Sequence, residues 1–201
     1  MSVRVVIGLS GASGAAVGVR AVELAAARAE THVVISRAAE RTIRHELGPE
    51  GDTRVRSVAH VVHSIEDVGA TIASGSYRTA GMLIAPCSMR TLAAVATSLA
   101  DNLLVRAADV HLKERRRLVL AVRETPLHLG HLRAMVAATE MGAIVAPIAP
   151  AFYLKPASLD ELVEHAARRL VDLLGLDCPP LGSEWSGDGE VESRNAAEVP
   201  R

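Results

Sequence analysis

The sequence predicts an α/β protein, a parallel β-sheet covered by helices on both faces to make a three-layer sandwich. Three observations predict it. Short apolar, β-branched runs recur along the chain: Val3–Leu9 (VRVVIGL), Thr31–Ile35 (THVVI), Gly81–Ala85 (GMLIA) and Leu118–Val122 (LVLAV). Segments with helical composition or apolar spacing separate them. The runs are apolar throughout rather than alternating, the pattern of strands buried on both faces.

Each element has its own warrant. Val3–Leu9 ends in glycines and serines, and Ala15–Ala29, rich in Ala, Leu and Val, follows as a helix. After Thr31–Ile35, Ser36 opens a polar helical stretch to about Leu47. Residues 48–57 read as a loop, Val58–Val62 as a strand, and 64–80 as mostly loop. Pro86 closes the Gly81–Ala85 strand, and Ser88 starts a helix whose Met89, Leu92, Ala93, Val95, Ala96 and Leu99 form one apolar stripe. Leu103–Lys113 and residues 128–141 read as helices, and Ala143–Ala146 as a strand. Ser158 and Glu161 form a capping box for a last helix, with Leu159, Leu162, Val163, Ala166, Leu170 and Leu174 as its buried face.

Composition bounds the function. With 201 residues the chain has the size of one domain, read here as residues 1–176, followed by a mobile tail at 177–201 carrying six acidic and two basic groups. The uncharged stretch Met141–Leu154 is shorter than the ~20 residues that span a bilayer and holds two prolines, so no membrane helix is expected. No signal sequence is apparent and there are two cysteines, so a cytoplasmic protein without a disulfide framework is expected. The 22 basic residues include twenty Arg, suited to bidentate phosphate contacts, but no basic run is interleaved with aromatics. A base-stacking nucleic-acid groove is therefore not expected.

In an open α/β sheet, ligands bind beyond the carboxyl ends of the strands. There the sequence offers Gly11-Ala-Ser-Gly14, Ser36, Pro86-Cys-Ser-Met-Arg-Thr91, Arg123-Glu124, and a Pro-rich loop with Phe152, Tyr153 and Lys155. The first turn would let backbone N–H groups and a hydroxyl meet a phosphate at a helix terminus, or would serve close packing only. Its glycines fit neither a dinucleotide fingerprint nor a P-loop, which favours a mononucleotide such as flavin. Ser88 reads as a ligand contact or a plain N-cap, and Cys87 as a nucleophile or packing. Arg123-Glu124 reads as a structural ion pair or a ligand clamp. The pairs His60/His63 and His128/His131 have no third ligand in the sequence, and no metal is expected. Ser13 misses the spacing of a hydrolase nucleophile elbow.

Taken together these segments resemble the UbiX-like flavin prenyltransferases, a family that includes small partner subunits of phenolic-acid and 4-hydroxybenzoate decarboxylases. The resemblance is carried in order by Gly11-Ala-Ser-Gly14, Ser36, Ala73-Ser-Gly-Ser76, Pro86-Cys-Ser88, Arg106-Ala-Ala-Asp-Val-His-Leu-Lys-Glu-Arg115, Arg123-Glu-Thr-Pro126 and Pro150-Ala-Phe-Tyr153. It implies a flavodoxin-like, Rossmann-type sheet, a homo-oligomer of dodecamer size, and transfer of a dimethylallyl group from dimethylallyl monophosphate to N5 and C6 of reduced FMN. The prenylated FMN would serve a UbiD-type decarboxylase, and no metal is implied. By the same resemblance Gly11, Ala12, Ser13, Ser36, Ser88, Met89, Arg90, Thr91 and Arg123 hold FMN. Ser74, Gly75, Arg123, Tyr153 and Arg169 bind the prenyl phosphate, and Glu46, Glu124, Arg106 and Lys113 are catalytic, Arg106 and Lys113 arriving from a neighbouring subunit. Some relatives carry a tryptophan where this chain has Val68, and Trp185 reads as a solvent-exposed tail residue or as an aromatic lid that folds back over the flavin site. Two other readings stand beside this one. An FMN-dependent cysteine-peptide decarboxylase would carry Pro-Ala-Ser-Ala-Asn-Thr at residues 86–91, and a non-catalytic flavin carrier would not need Glu124, Lys113 and Arg169 together.

Overall fold

The computed structural model describes residues 3–176 and 178–182. Six strands, β1 (Arg4–Leu9), β2 (Glu30–Ile35), β3 (Val61–His63), β4 (Gly81–Cys87), β5 (Arg117–Val122) and β6 (Ile144–Val145), form one sheet in the order β3-β2-β1-β4-β5-β6. Every pairing is parallel. Seven helices are described: α1 (Ala15–Ala26), α2 (Arg37–Leu47), α3 (Glu50–Val58), α4 (Met89–Ala96), α5 (Leu103–Lys113), α6 (Leu129–Glu140) and α7 (Leu159–Asp172). No described helix is long and apolar enough to cross a membrane.

Alternation along the strands explains the layers. Val5, Ile7 and Leu9 of β1 point into one core with α1, α2, α3 and α7, while Val6 points into the other with α4, α5 and α6. The two sets interleave in the same way on β4 and β5. Ser36, Ser88, Asn102 and Ser158 each cap a helix through a side-chain oxygen, a contact typically worth ~1 kcal/mol.

Several expectations change. Residues 50–58 are helical rather than a loop, and the following strand is Val61–His63 rather than Val58–Val62. Only Gly51 and Val55 of α3 are buried, and its shape is fixed by polar contacts such as Arg56 Nε to Asp52 Oδ2 at 2.7 Å. Leu99 lies beyond the end of α4 and is exposed, with Ala94 rather than Ala93 turned inward. Leu159 is exposed at the start of α7, whose buried positions are Ala167, Leu170 and Val171. In the capping box, Glu161 accepts the N–H of Ala157 rather than that of Ser158.

Residues 178–182, at the start of the expected tail, are tied to α7: Asp172 accepts the N–H groups of Leu181 and Gly182 at 2.7 and 2.8 Å. Trp185 and the rest of the acidic tail lie outside the described residues.

Candidate functional site

The strand order reverses between β1 and β4, and the crevice beyond their carboxyl ends is where this topology accepts a ligand. Two turns flank it, Ser10–Gly14 after β1 and Ser88–Thr91 after β4, and Ser10 joins them. Its buried hydroxyl donates to the Pro86 carbonyl at 2.9 Å and accepts the Ser88 N–H at 2.7 Å. Sequence reasoning missed this role of Ser10, because a serine before a glycine turn signals only a turn.

The Gly11–Gly14 turn is shaped by close approach. A Cβ on Gly11 would collide with the Cβ of Ala38 on α2, and Gly14 takes φ 100°, the left-handed region that suits glycine. The N–H groups at the start of α1 are already claimed: Glu46 on α2 accepts from Gly14 at 3.1 and 3.2 Å and from Ala15 at 2.7 Å. An anion thus sits on the positive helix end, and it is a side chain of this chain. A ligand phosphate at that terminus would have to displace Glu46. Ala12 and Ser13 remain beside it, with Ser13 exposed.

Ser36 and Ser88 both act as N-caps, accepting from Ala39 and Thr91, and Ser88 Oγ also donates to Thr91 Oγ1 at 3.1 Å. The N–H groups of Met89 and Arg90 in the first turn of α4 have no carbonyl of their own helix to reach. The Arg90 guanidinium pairs with Asp101. Cys87 is fully buried and its thiol is pushed up to about 12 by desolvation, which makes it a packing residue and not a thiolate nucleophile.

Arg123 and Glu124 follow β5 and are both exposed. They are not an ion pair. Glu124 Oε1 accepts the Thr125 N–H at 3.0 Å, and among the described residues the Arg123 guanidinium makes no ion pair or hydrogen bond. A cation and a carboxylate therefore stand exposed and adjacent in sequence just past the carboxyl end of β5. Tyr153 lies in a short 3-10 turn, Phe152–Leu154, and is exposed.

The remaining expected residues stand elsewhere. On α5, Arg106 Nε donates to the Ala73 carbonyl at 3.2 Å and Nη1 pairs with Asp109 at 2.9 Å. Lys113 Nζ pairs with Glu114 at 2.6 Å, and a Cβ on Gly75 would run into both of those side chains. Ser74, Gly75, Arg106 and Lys113 are thus one cluster. Arg169 lies in the last turn of α7, whose end is fixed to the start of β5 by Arg117 Nη1 donating to Leu173 O at 3.1 Å.

Gly75, Lys113 and Arg169 therefore belong to the amino pole of the sheet, whereas Ser36, Ser88, Arg123 and Tyr153 belong to the carboxyl pole. Arg116 and Arg123 bracket β5 and are separated by about 23 Å at ~3.3 Å per strand residue. One subunit does not bring the two groups together.

The histidine pairs do other work. His60 Nδ1 accepts the Thr31 N–H at 3.2 Å, His63 pairs with His32 at 2.9 Å, and His128 caps α6. Among the described residues no group of three or more His, Cys, Asp or Glu is disposed to hold a metal ion.

The Flavoprotein family model matches residues 1–166. The flavin prenyltransferase UbiX of Thauera aromatica is 52% identical over 190 residues, 94% of this chain and 97% of that protein. The crystal structure of AnUbiX (PadA1) in complex with FMN and dimethylallyl pyrophosphate matches with a TM-score of 0.86 at 43% identity, over 93% of this chain and 99% of that one. The dodecameric FMN-dependent UbiX-like decarboxylase from Escherichia coli O157:H7 matches with a TM-score of 0.85 at 42% identity, over 92% of this chain and all of the other.

Proposed function

The chain belongs to the family of UbiX flavin prenyltransferases, and from that premise we propose how its residues divide the work. It is a flavin prenyltransferase acting on FMN with a dimethylallyl donor. The observation that carries this is 52% identity to a UbiX enzyme across nearly the full length of both chains, which sets aside the cysteine-peptide decarboxylase and the flavin-carrier readings.

In our reading the donor is dimethylallyl monophosphate and the new bonds go to N5 and C6 of reduced FMN. Gly11, Ala12, Ser13, Ser36, Ser88, Met89, Arg90, Thr91 and Arg123 hold the flavin. What supports this is the shared crevice: two hydroxyl-bearing turns tied by Ser10, first-turn N–H groups of α4 free of helical partners, and an unengaged Arg123 beside them. Arg90 enters this set only if it leaves Asp101. Glu46 is held over the start of α1 by three N–H contacts, which fixes its carboxylate at the edge of the same crevice.

When the donor's C–O bond breaks, the electron pair leaves with the phosphate, and charge grows on its oxygens. Arg123 and Tyr153 from one subunit, with Arg106, Lys113, Ser74, Gly75 and Arg169 from a neighbour, would stabilise that charge where it develops. Glu124, beside Arg123, handles the proton on the departing phosphate. The separation of the two poles within one subunit supports a site shared between copies, hence a homo-oligomer, and we place it at dodecamer size. Leu129, Leu132 and Val136 leave an apolar stripe exposed on α6, available to such an assembly. We assign the prenylated FMN to a UbiD-type decarboxylase as its user, and the cytoplasm as the compartment.

Anaerobic incubation with reduced FMN and either dimethylallyl monophosphate or the pyrophosphate, followed by mass spectrometry of the flavin, tests this. A prenylated product with the monophosphate is expected. Unmodified FMN with both donors would refute the assignment.

A further inference from the structure

The backbone of the segment Ser74–Thr79 is gripped by Arg116, a residue outside the set assigned above. Arg116 stands between α5 and β5, and its side chain is 16% exposed. Its fork reaches three oxygens of that segment: Nη2 donates to the Gly75 carbonyl, and Nη1 donates to the Tyr77 carbonyl at 2.8 Å and to Thr79 Oγ1 at 3.4 Å. Its backbone N–H donates to His111 O at 2.8 Å, so its own position is set by the end of α5. The nearest carboxylate oxygen, Glu114 Oε2, stands 4.0 Å away. The charge of Arg116 is therefore spent mainly on backbone carbonyls, which would otherwise turn to water or to each other.

Other hydrogen bonds hold the ends and side chains of the segment rather than the Gly75 carbonyl, among them Thr79 Oγ1 to His111 Nε2 at 2.8 Å. Ser74 Oγ and Ser76 Oγ lie 2.9 Å apart, and the Tyr77 hydroxyl meets His32 Nε2 at 3.0 Å. Arg106 holds the Ala73 carbonyl one residue before it. Between these anchors, Gly75 packs against the Lys113 and Glu114 side chains, with no room for a Cβ. A shift of the Gly75 carbonyl would move both the Ser74 hydroxyl and the Lys113 ammonium.

We propose that Arg116 is a positioning residue for the prenyl-phosphate half-site: its guanidinium fixes the Ser74–Gly75–Ser76 backbone so that this turn and Lys113 present one preformed anion-binding face to the neighbouring subunit. This rests on the assignment of Ser74, Gly75 and Lys113 to the donor phosphate. The shape of the side chain is what matters. A lysine keeps the charge but carries its donors on a single nitrogen, where the arginine fork reaches separated acceptors. Preorganising a polar site in this way contributes to binding without touching the ligand.

The test uses the assembled, FMN-loaded protein, with Arg116→Lys, Arg116→Ala and Lys113→Ala. Calorimetric titration with dimethylallyl monophosphate gives the donor Kd, flavin fluorescence gives the FMN Kd, and amide exchange reports on residues 74–77. Both Arg116 variants are expected to weaken the donor Kd by about tenfold or more, the scale of losing a hydrogen bond from a charged group. The FMN Kd should stay within about twofold and amide exchange at 74–77 should quicken, and added guanidinium should restore part of the donor affinity of Arg116→Ala. Should Arg116→Ala fail to fold, Arg116→Lys carries the same comparison. If Lys113→Ala weakens the donor and Arg116→Lys does not, the positioning role is overturned while the site assignment stands. If both leave the donor Kd unchanged, the site assignment falls and the positioning role with it. A parallel loss of donor affinity, FMN affinity and thermal stability would make Arg116 a fold residue only, and that too overturns the proposal.

Discussion

His111 sits under the same segment and makes the protein sensitive to acid in a way that can be calculated. It is 1% exposed on α5. Its Nδ1 lies 2.7 Å from the Ala107 carbonyl, which can only accept, so Nδ1 carries the proton. Nε2 must then accept from the Thr79 hydroxyl, 2.8 Å away. A second proton on the ring would have to enter a buried site facing that hydroxyl, with the Arg116 guanidinium close by. Burial, foremost, and Arg116 push the ring down to about 4, against the opposing pull of the Ala107 and Gly81 backbone. In the unfolded chain the same ring titrates near the usual ~6.5. Above that value neither state binds the proton and the full stability is present. As pH falls from about 6.5 towards 4 the unfolded chain takes up the proton first, and stability is lost. The gap is worth about 3 kcal/mol at ~1.36 kcal/mol per pH unit. His32 and His63 are also lowered, chiefly by desolvation, and act in the same direction, so the contribution of His111 has to be isolated. His111→Asn keeps a donor for Ala107 and cannot titrate. Urea unfolding of both proteins at fixed concentration, at about pH 7 and about pH 4, gives the comparison. The wild type should lose about 3 kcal/mol more than His111→Asn between the two conditions. An equal acid-induced loss in the two proteins would refute the buried neutral histidine.

Two further outcomes follow from the site. Glu124→Gln should retain FMN affinity, because among the described residues its carboxylate bonds only the Thr125 N–H, while prenyl transfer slows by about 10²-fold; a single-turnover rate within about threefold of wild type would remove it from the proton step. Mixing an Arg106→Ala chain with a Glu124→Gln chain should restore part of the activity in mixed oligomers, since some sites would then draw an intact Arg106 and an intact Glu124 from different subunits; homogeneous activity loss at every mixing ratio would place each complete site within one subunit.

The sheet was legible because its signal is large and local. The strands β1, β2, β4 and β5 each read as a continuous buried segment, and all four lie where the sequence puts them to within a residue or two. The helix α3 was not legible, because it buries only Gly51 and Val55 and is otherwise held by contacts such as Arg54 to Glu23, 31 residues away. Leu99 and Leu159 misled for the opposite reason. Both continue an apolar spacing past the point where the chain still faces a core, and periodicity alone carries no information about where that core ends.

The site divides along the same line between local and non-local information. Ser36, Ser88 and Arg123 could be picked out as candidates because each follows a recognisable strand, and the ends of strands are where this topology exposes backbone and side chains to a ligand. Glu46 reaches the start of α1 across 31 or 32 residues of chain, and nothing in the helix that carries it marks one glutamate above another. Arg116 is harder still. It stands in the run Arg115-Arg116-Arg117, three identical side chains that the sequence does not tell apart, and Arg115 takes φ 56°, so the backbone turns there. Arg116 then faces the Gly75 and Tyr77 carbonyls, whereas Arg117 faces the end of α7. That local turn gives neighbouring arginines separate tasks at the amino pole. On the proposed assignment, which puts the flavin crevice at the carboxyl pole about 23 Å away along β5, a residue such as Arg116 would act on the chemistry through the copy of the chain that receives the surface it shapes. On that assignment assembly would be a condition of catalysis, beyond any contribution it makes to stability.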